Sequence, residues 1–341
     1  MPFRLDEVRT FLLSYFESLQ DTGGRYGAYR AGPRLRTDLY ASLDVALMRA
    51  IMGENLLALP EKQRAEWTDH INSFAESTHN QPITGCYGDT HGHSKLHANG
   101  MVIGALGVIG GKMRHPLTLY DGFNSPEKVA GWLETIDWAR QWSASHLFWG
   151  GMHCFSFSAR CTPEWFDAVF AWLNANVDEK TGWWRKGVPH SDRHQPLGGS
   201  VHIVPIYEHH GRAFPYPERV IDSVLAMQLP NGYWLQHNGA PYVTYLELDA
   251  LYAYRVMQTW APNYRRDDVM KSVDRFGTCV IEYFNQKRDM IAAHHPHLVL
   301  GLVGTFGLLQ HLQPDRFVDS VKWSDIFSDR QLYRTKEVEV F

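Results

Sequence analysis

The chain repeats a pattern of about 50 residues, and six copies follow one another from one end to the other. Each copy begins with an amphipathic helical stretch, passes through a polar loop rich in glycine and aromatic residues, and ends in an apolar run rich in small residues. The apolar runs begin near Asp38, Ser94, Ser145, Ser200, Tyr245 and His297. Six such helix pairs predict an all-α fold, an (α/α)6 toroid in which one helix of each pair lies inside and the loops gather over one pocket.

The first helix of each pair is predicted from apolar residues at helical spacing, with proline or an acidic residue in several first turns. The second helices, such as the run from Asp38 to Met48, are apolar nearly all round, which is typical of helices buried on every side. We expect one domain that spans residues 1–341. The predicted outer helices are Leu5 to Leu19, Glu61 to Ser77, Pro126 to Gln141, Pro163 to Asn176, Pro217 to Gln228 and Arg266 to Asn285.

Composition limits the classes of protein to consider. The apolar fraction is 44%, enough for a sizeable core, and no uninterrupted apolar stretch is long enough to suggest a membrane span. The first residues enter a helical pattern directly and show no signal-peptide pattern, so we expect a cytoplasmic location. The four cysteines are scattered, which favours reduced thiols over a disulfide framework.

Net charge and motifs indicate a small-molecule ligand rather than nucleic acid. A net charge of -4 gives no electrostatic footprint for nucleic acid or an anionic membrane. The chain contains 18 histidines, 12 tryptophans and 16 tyrosines, residue types that suit a sugar or an apolar ligand. It has no nucleotide-binding glycine motif, so we expect no cofactor, and the partner is expected to be a small molecule or an oligosaccharide. The sequence leaves the oligomeric state open.

Four of the predicted loops share a turn with glycine followed by aromatic residues, as in Thr181-Gly182-Trp183-Trp184. The segment from Gln228 to Trp234, Gln-Leu-Pro-Asn-Gly-Tyr-Trp, resembles the Gln-x-x-Asp/Asn-Gly-x-Trp turn of terpenoid cyclases and protein prenyltransferases. The Thr-Gly-x-Trp turns are similar to those of (α/α)6 glycoside hydrolases and polysaccharide lyases. The resemblance implies a toroid enzyme without identifying one family, and the Asp-x-Asp-Asp motif of class II cyclases and the zinc ligands of prenyltransferases are absent from the sequence.

Residues near the starts of the second helices are the prime candidates for chemistry, because parallel inner helices bring their N-termini to one mouth. The second repeat carries the densest group, from Tyr87 to His97, and His93 and His97 would share a face of a helix. The candidate catalytic residues are His93, His97, His202, Tyr207, Tyr245, Asp249, Asp89 and Asp38. The candidate substrate-binding residues are Arg36, Tyr87, His91, His146, Trp149, His153, Trp183, Trp184, Arg185, His209, Trp234 and Tyr242.

Several of these residues have a structural interpretation as well. For Asp38 and Asp249, a role as helix cap or core hydrogen-bond partner is as well supported as a catalytic role. The three tryptophans of the turns are expected as wall residues whose faces could stack on sugars. The imidazoles and Asp89 could be brought together around a metal ion. No recognised ligand spacing such as His-Glu-x-x-His is present, however, so we expect no metal.

A carbohydrate-active enzyme is the favoured function, with β-elimination on a uronic-acid sugar as the reaction. The nominated residues are His93 or His202 as base, Tyr207 or Tyr245 as acid, and Arg36 or Arg185 as the group that neutralises the substrate carboxylate. Sugar epimerisation would use nearly the same groups. A glycoside hydrolase would instead need two carboxylates about 5 to 9.5 Å apart. A terpenoid cyclase-like enzyme and a non-catalytic binding scaffold remain as alternatives.

Overall fold

The computed structural model describes residues 2–32, 35–75, 87, 91–114, 119–235 and 243–327. These residues form 14 α-helices and two short strands, so the predicted all-α class is confirmed. The helices are α1 Leu5–Leu19, α2 Leu39–Ile51, α3 Glu61–Asn72, α4 Lys95–Ile109, α5 Pro126–Glu134, α6 Gln141–Phe148, α7 Cys154–Ser156, α8 Pro163–Asn176, α9 Gln195–His209, α10 Pro217–Met227, α11 Tyr245–Trp260, α12 Arg266–Gln286, α13 Arg288–Ala293 and α14 Pro296–Leu312. The strands are β1 Phe3–Arg4 and β2 Phe317–Val318.

Most of the predicted first helices have the predicted starts. The bounds of α1 and α8 agree with the sequence pattern at both ends, and α3, α10 and α12 begin at the predicted residue. The physical reason is local: Thr162 caps α8 by accepting a hydrogen bond from the Trp165 backbone, and Pro163 occupies its first turn.

Two second helices begin earlier in the chain than predicted. Instead of one helix from Pro126 to Gln141, the third pair has α5, a 3-10 turn over Trp138–Arg140, and then α6, which starts at Gln141. The Trp138 indole donates to the Leu133 carbonyl in the last turn of α5, and this side-chain bond ends the helix where periodicity predicted continuation. Similarly, α9 begins at Gln195 rather than near Ser200, with proline in its first turn.

The six second helices, α2, α4, α6, α9, α11 and α14, contact one another in a fixed order. Helix α2 packs on α4, α4 on α6 and on the π-helical turn Trp149–His153 that extends α6, α6 on α9, α9 on α11, α11 on α14, and α14 on α2. The last second helix, α14, therefore contacts the first one, α2. These helices hold the most continuous burial: every residue of α4 from Leu96 to Ile109 is buried, as is every residue of α2 from Leu39 to Met48.

Close backbone packing joins α4 to the π-helical turn. A Cβ atom added to Gly150 would lie 1.9 Å from the Leu96 carbonyl oxygen, and one added to Gly100 would lie 2.6 Å from the Trp149 ring. Glycine is therefore required at both positions for this approach. The contact holds Trp149 and the end of α6 against the first turns of α4.

Tryptophans in the glycine turns fasten the turns to the preceding helices. The Trp184 indole N–H donates to the Leu173 carbonyl of α8, and the Trp234 indole N–H donates to the Val224 carbonyl of α10. The Leu173 carbonyl also accepts from the Val177 backbone N–H, so the Trp184 indole is a second donor to it near the end of α8. In these two repeats the glycine turn therefore has a structural role, because its tryptophan binds the preceding helix. Residues 84–86 of the corresponding turn in the second repeat lie outside the described residues.

The segment after α14 returns to the start of the chain. Strand β1 pairs in parallel with β2, and Arg9 of α1 binds both carboxylate oxygens of Asp319. Among the described helices, none combines the length and apolar character that crossing a bilayer requires.

Candidate functional site

A cavity of about 540 Å³ lies among the six second helices, each of which contributes to its wall. Part of the lining is apolar, with Met101, Leu298 and Phe327 among its members. The rest is dominated by imidazoles. The histidines that line it are His91, His93, His97, His146, His202 and His297.

His93 joins histidines from two other parts of the fold. Its Nδ1 lies 3.2 Å from Nδ1 of His146 in α6, and its Nε2 lies 3.2 Å from Nε2 of His297 in α14. His93 itself precedes the helix, because the Ser94 side chain accepts from the His97 backbone and α4 starts at Lys95. The His93 and His97 rings nevertheless lie close, with centroids 4.3 Å apart.

His97 completes a compact group with His93 and His146. One ring nitrogen from each residue lies within 4.8 Å of the other two, a spacing compatible with shared ligation of a metal ion. The Nδ1 atom of His97 is 2.8 Å from the Tyr40 hydroxyl, which fixes the plane of its ring. We refer to His93, His97 and His146 as the histidine triad.

Two further histidines flank the triad and are oriented by polar side chains. His202 Nδ1 lies 3.0 Å from the Ser145 hydroxyl, and its ring centroid is 4.7 Å from that of His146. His297 Nδ1 lies 3.2 Å from a carboxylate oxygen of Asp44, a buried residue of α2. Ser145 and Asp44 therefore orient the His202 and His297 rings, and both rings line the cavity.

Burial keeps these imidazoles neutral. It lowers the pKa of His93 to about 4 and the pKa values of His202 and His297 to about 3. Burial and then the neighbouring imidazoles hold the pKa values of His97 and His146 well below the usual histidine value. At neutral pH the cluster therefore offers lone pairs and N–H donors rather than positive charge.

Asp249 and Tyr245, one turn apart on α11, are also among the residues that line the cavity. Asp249 is fully buried, and neither of its carboxylate oxygens has a hydrogen-bond partner among the described residues. Burial, and secondarily the nearby Glu247, raises the Asp249 pKa well above that of an ordinary aspartate. The Tyr245 hydroxyl donates to the His297 carbonyl at 2.6 Å, and burial raises its pKa in turn.

The structure brings many of the candidate residues to this cavity and places others elsewhere. Those that line it are His91, His93, His97, His146, Trp149, His202, Tyr245 and Asp249. Those that do not line it are Arg36, Asp38, Tyr87, His153, Trp183, Trp184, Arg185, Tyr207, His209 and Trp234. Asp89 and Tyr242 lie outside the described residues.

Tyr207 and the turn tryptophans are core residues, which corrects their assignment to the site. The Tyr207 hydroxyl donates to the Asn174 side chain at 2.8 Å, and its ring packs edge-on against Phe170. Trp183, Trp184 and Trp234 are buried in the hydrophobic core and have no ring face to offer to a sugar. The sequence placed them correctly in turns, but burial of large aromatic surface is what decides their position.

Arg185 and Tyr87 are also structural. Arg185 pairs with Glu134 at 2.6 Å and lies over the Trp172 ring, away from the cavity. The Tyr87 hydroxyl donates to the Asn72 side chain at 2.9 Å. These contacts replace the substrate-binding roles predicted for the two residues.

The two remaining pairs of candidates lie beside the site. His153 and His209 contact each other, with Nε2 and Nδ1 3.2 Å apart, and are buried behind the cavity wall. Asp38 caps α2 by accepting from the Ala41 backbone, as one of its two interpretations predicted, and also lies 3.1 Å from His295 Nε2. Arg36 lines a second depression together with Asp38.

Two residues of the site, Asp44 and His297, are absent from the candidates that the sequence provides. Asp44 is the only charged residue between Leu39 and Met48, and an acid inside a fully apolar helix is itself a signal of a specific buried partner. That partner is His297. Tyr40, which orients His97, is also absent from those candidates.

Comparison with known proteins found no matching protein family, no matching curated protein and no matching solved structure.

Proposed function

We propose that this chain is a toroid enzyme of the (α/α)6 type that acts on a sugar or oligosaccharide by proton transfer, with β-elimination as the reaction. The observation that carries the proposal is the cavity of about 540 Å³, whose lining residues include several neutral imidazoles and the buried Asp249. A volume of this size suits a ligand of one to a few sugar rings. Such a wall provides bases and acids within one enclosed space.

The order of helix contacts supports the toroid. The second helices form a sequence of neighbours in which α14 contacts α2, as closure of an inner ring requires. The first helices are amphipathic, as an outer ring requires, with one buried face in α10 and in α12. The cavity lies where the resemblance of the turns to those of toroid enzymes implies an active site.

His202 is the favoured base because its tautomer can be deduced. The Ser145 hydroxyl donates its hydrogen to the Trp142 carbonyl at 2.8 Å, so its oxygen accepts from His202 Nδ1. His202 Nε2 then carries the free lone pair that a base needs. His93 is less suitable, since both of its nitrogens contact other histidines.

Asp249 is the favoured acid, with Tyr245 as the alternative. In elimination, His202 Nε2 takes the proton on the carbon next to the substrate carboxylate. The bond from the neighbouring carbon to the leaving oxygen breaks, a carbon–carbon double bond forms, and the leaving oxygen takes the Asp249 proton. A buried carboxyl group in its neutral form suits this donor role. The Tyr245 hydroxyl is already committed to the His297 carbonyl.

Elimination is favoured over hydrolysis by the count of acids at the wall. A glycoside hydrolase of the usual kind needs two carboxyl groups across the scissile bond. Of the described residues that line the cavity, Asp249 alone is acidic, and Asp44 lies behind His297. Neither Arg36 nor Arg185 lines the cavity, so the group that neutralises a uronate must be another one.

A second candidate function follows from the apolar part of the lining. Met101, Leu298 and Phe327, with the Trp149 ring, form a surface that suits an isoprenoid chain and can stabilise a carbocation. In that case Asp249 would protonate an alkene rather than a leaving oxygen. Conversion of a linear isoprenoid to a cyclic product, with no reaction on sugars, would support this candidate over elimination.

The test is a panel of oligosaccharides of galacturonate, glucuronate, mannuronate and guluronate, incubated with the full chain. Elimination releases a product whose new double bond, conjugated to the carboxylate, absorbs in the ultraviolet. We expect His202→Ala and Asp249→Asn to lower the rate at least about 100-fold. The exposed His311→Ala variant is the matched control and should retain the wild-type rate.

Other products would overturn the proposed reaction. New reducing ends without ultraviolet absorbance would indicate hydrolysis. Solvent deuterium incorporated into an uncleaved sugar would indicate epimerisation. No change in any uronate would remove the elimination proposal altogether.

A further inference from the structure

We infer that the histidine triad, His93, His97 and His146, binds one divalent transition-metal ion, with Zn²⁺ as the expected ion. The inference goes beyond the proposed reaction, because metal binding is measured without substrate. Imidazole nitrogen is a preferred ligand of Zn²⁺, Cu²⁺ and Ni²⁺, whereas Mg²⁺ and Ca²⁺ prefer oxygen. A site with three imidazole nitrogen donors therefore favours Zn²⁺, Cu²⁺ or Ni²⁺ over Mg²⁺ and Ca²⁺.

The spacing of the donor atoms supports ligation by the triad. In a tetrahedral site with Zn–N bonds of about 2.0–2.1 Å, two ligand nitrogens lie about 3.3 Å apart. The Nδ1 atoms of His93 and His146 lie 3.2 Å apart. All three ligand nitrogens lie within 4.8 Å of one another, so binding needs only a small inward rotation of side chains.

Tyr40 provides the outer contact that ligand histidines usually have. In metal sites, the nitrogen that does not bind the ion commonly donates to a neighbouring polar atom, which fixes the tautomer and the ring plane. His97 Nδ1 lies 2.8 Å from the Tyr40 hydroxyl, so its Nε2 is left for the ion. Tyr40 is fully buried and its ring stacks parallel to that of His97.

The surroundings favour a cation with an open coordination position. The described lining contains no lysine or arginine that would repel it, and Asp249 is among the lining residues. Three protein ligands with a fourth position open to a cavity are the arrangement of catalytic zinc sites. The ion would also supply the positive charge that a uronate substrate needs and that no arginine of the described lining supplies.

The first experiment titrates Zn²⁺ alone into the untagged, chelator-treated full chain against a competing chelator dye. We expect one Zn²⁺ per chain. His93→Ala and His146→Ala should each weaken binding at least about 100-fold, the upper range seen for loss of outer contacts alone. His311→Ala, which removes an exposed histidine at the end of α14, should bind as the wild type does. Binding that is unchanged in both triad variants would overturn the inference.

A second measurement uses the wild-type chain only and so does not depend on the folding of any variant. Co²⁺ bound by three imidazoles in a four-coordinate site gives intense visible d–d bands, whereas six-coordinate aqueous Co²⁺ gives weak ones. We expect intense bands that saturate at one Co²⁺ per chain and disappear on addition of Zn²⁺. A weak aqueous-type spectrum at saturating Co²⁺ would overturn the triad as the binding site.

Discussion

The Nδ1 atoms of His93 and His146 lie 3.2 Å apart, although the residues are separated by 53 positions in the chain. His93 precedes α4 and His146 belongs to α6, so this contact depends on how closely the two helices pack. Gly150 permits that packing by leaving room for the Leu96 carbonyl. The geometry of the triad and the backbone of the π-helical turn are therefore linked.

The first prediction follows from this link. We expect Gly150→Ala to destabilise the protein by about 3 kcal/mol and to weaken metal binding, because its Cβ would overlap the Leu96 carbonyl. Gly131→Ala in α5 is the control: nothing lies within 4 Å of its Cβ position. Alanine there should stabilise by about 0.5–1 kcal/mol. Urea unfolding measures both, and equal stability of the two variants would contradict the model of close packing.

The second prediction separates core tryptophans from cavity tryptophans. Trp184→Phe removes the indole bond to the Leu173 carbonyl inside the core and should lower the free energy of unfolding by about 1–3 kcal/mol. Trp149→Phe alters the cavity wall and should change substrate KM or metal affinity more than Trp184→Phe does. Thermal unfolding and ligand titration of both variants decide the matter. A larger ligand effect from Trp184→Phe would reverse the assignment.

The third prediction concerns Tyr40 as a positioning residue. Tyr40→Phe removes the hydroxyl that contacts His97 Nδ1 but keeps the ring. We expect Zn²⁺ affinity to fall about 10-fold to 100-fold, as is usual for loss of such an outer contact. The Co²⁺ spectrum should keep its four-coordinate form, since the ligands are unchanged. Wild-type affinity in Tyr40→Phe would show that the hydroxyl does not orient the ligand.

The fourth prediction is a pH dependence at His70, a residue outside the cavity. Burial lowers the His70 pKa to about 4, from 6.5, and its Nε2 contacts the Ser42 hydroxyl. The unfolded chain therefore binds a proton that the folded chain resists, and stability falls as the pH drops from about 6.5 to about 4. His70→Gln lacks this contribution. Its free energy of unfolding should therefore change less steeply with pH in this range, by up to about 1.4 kcal/mol per pH unit. Parallel stability curves for the two proteins would refute it.

The fifth prediction concerns the join between α1 and the segment after α14. The Asp319 carboxylate accepts from Arg9 and from the Trp323 indole, and these bonds lower its pKa to about 2 against the opposing effect of burial. Because the folded state lowers the Asp319 pKa, the ionised carboxylate stabilises the fold at pH values above 3.8, its ordinary pKa. This stabilisation is lost as the pH falls toward 2. We expect Asp319→Asn to cost about 2 kcal/mol at neutral pH. The difference from wild type should shrink in acid, and a difference independent of pH would argue against the ion pair.

Helix positions were accessible from the sequence wherever the signal was local. The start of α11 at Tyr245 follows from a capping box between Thr244 and Glu247, and the bounds of α8 from its cap and proline. The break between α5 and α6 in the third pair could not be predicted in this way. Its break depends on the Trp138 indole reaching back to Leu133, a side-chain contact that apolar periodicity does not encode.

The candidate site could be predicted only in part, and α9 shows why. His202 and Tyr207 both looked suitable for chemistry, yet one lines the cavity and the other is in the core. Five residues along a helix of 3.6 residues per turn place two side chains on different faces. Tyr245 and Asp249 are four apart on α11 and so share the wall.

The sequence by itself determined the helical repeat, the caps of several helices and the abundance of imidazole, because these depend on residues close together in the chain. Tertiary structure alone decided which imidazoles meet. His93, His146, His202 and His297 come from four different repeats, and their contacts depend on the rotation and spacing of packed helices. Those quantities are set by the shapes of buried side chains across the whole core, to which every repeat contributes.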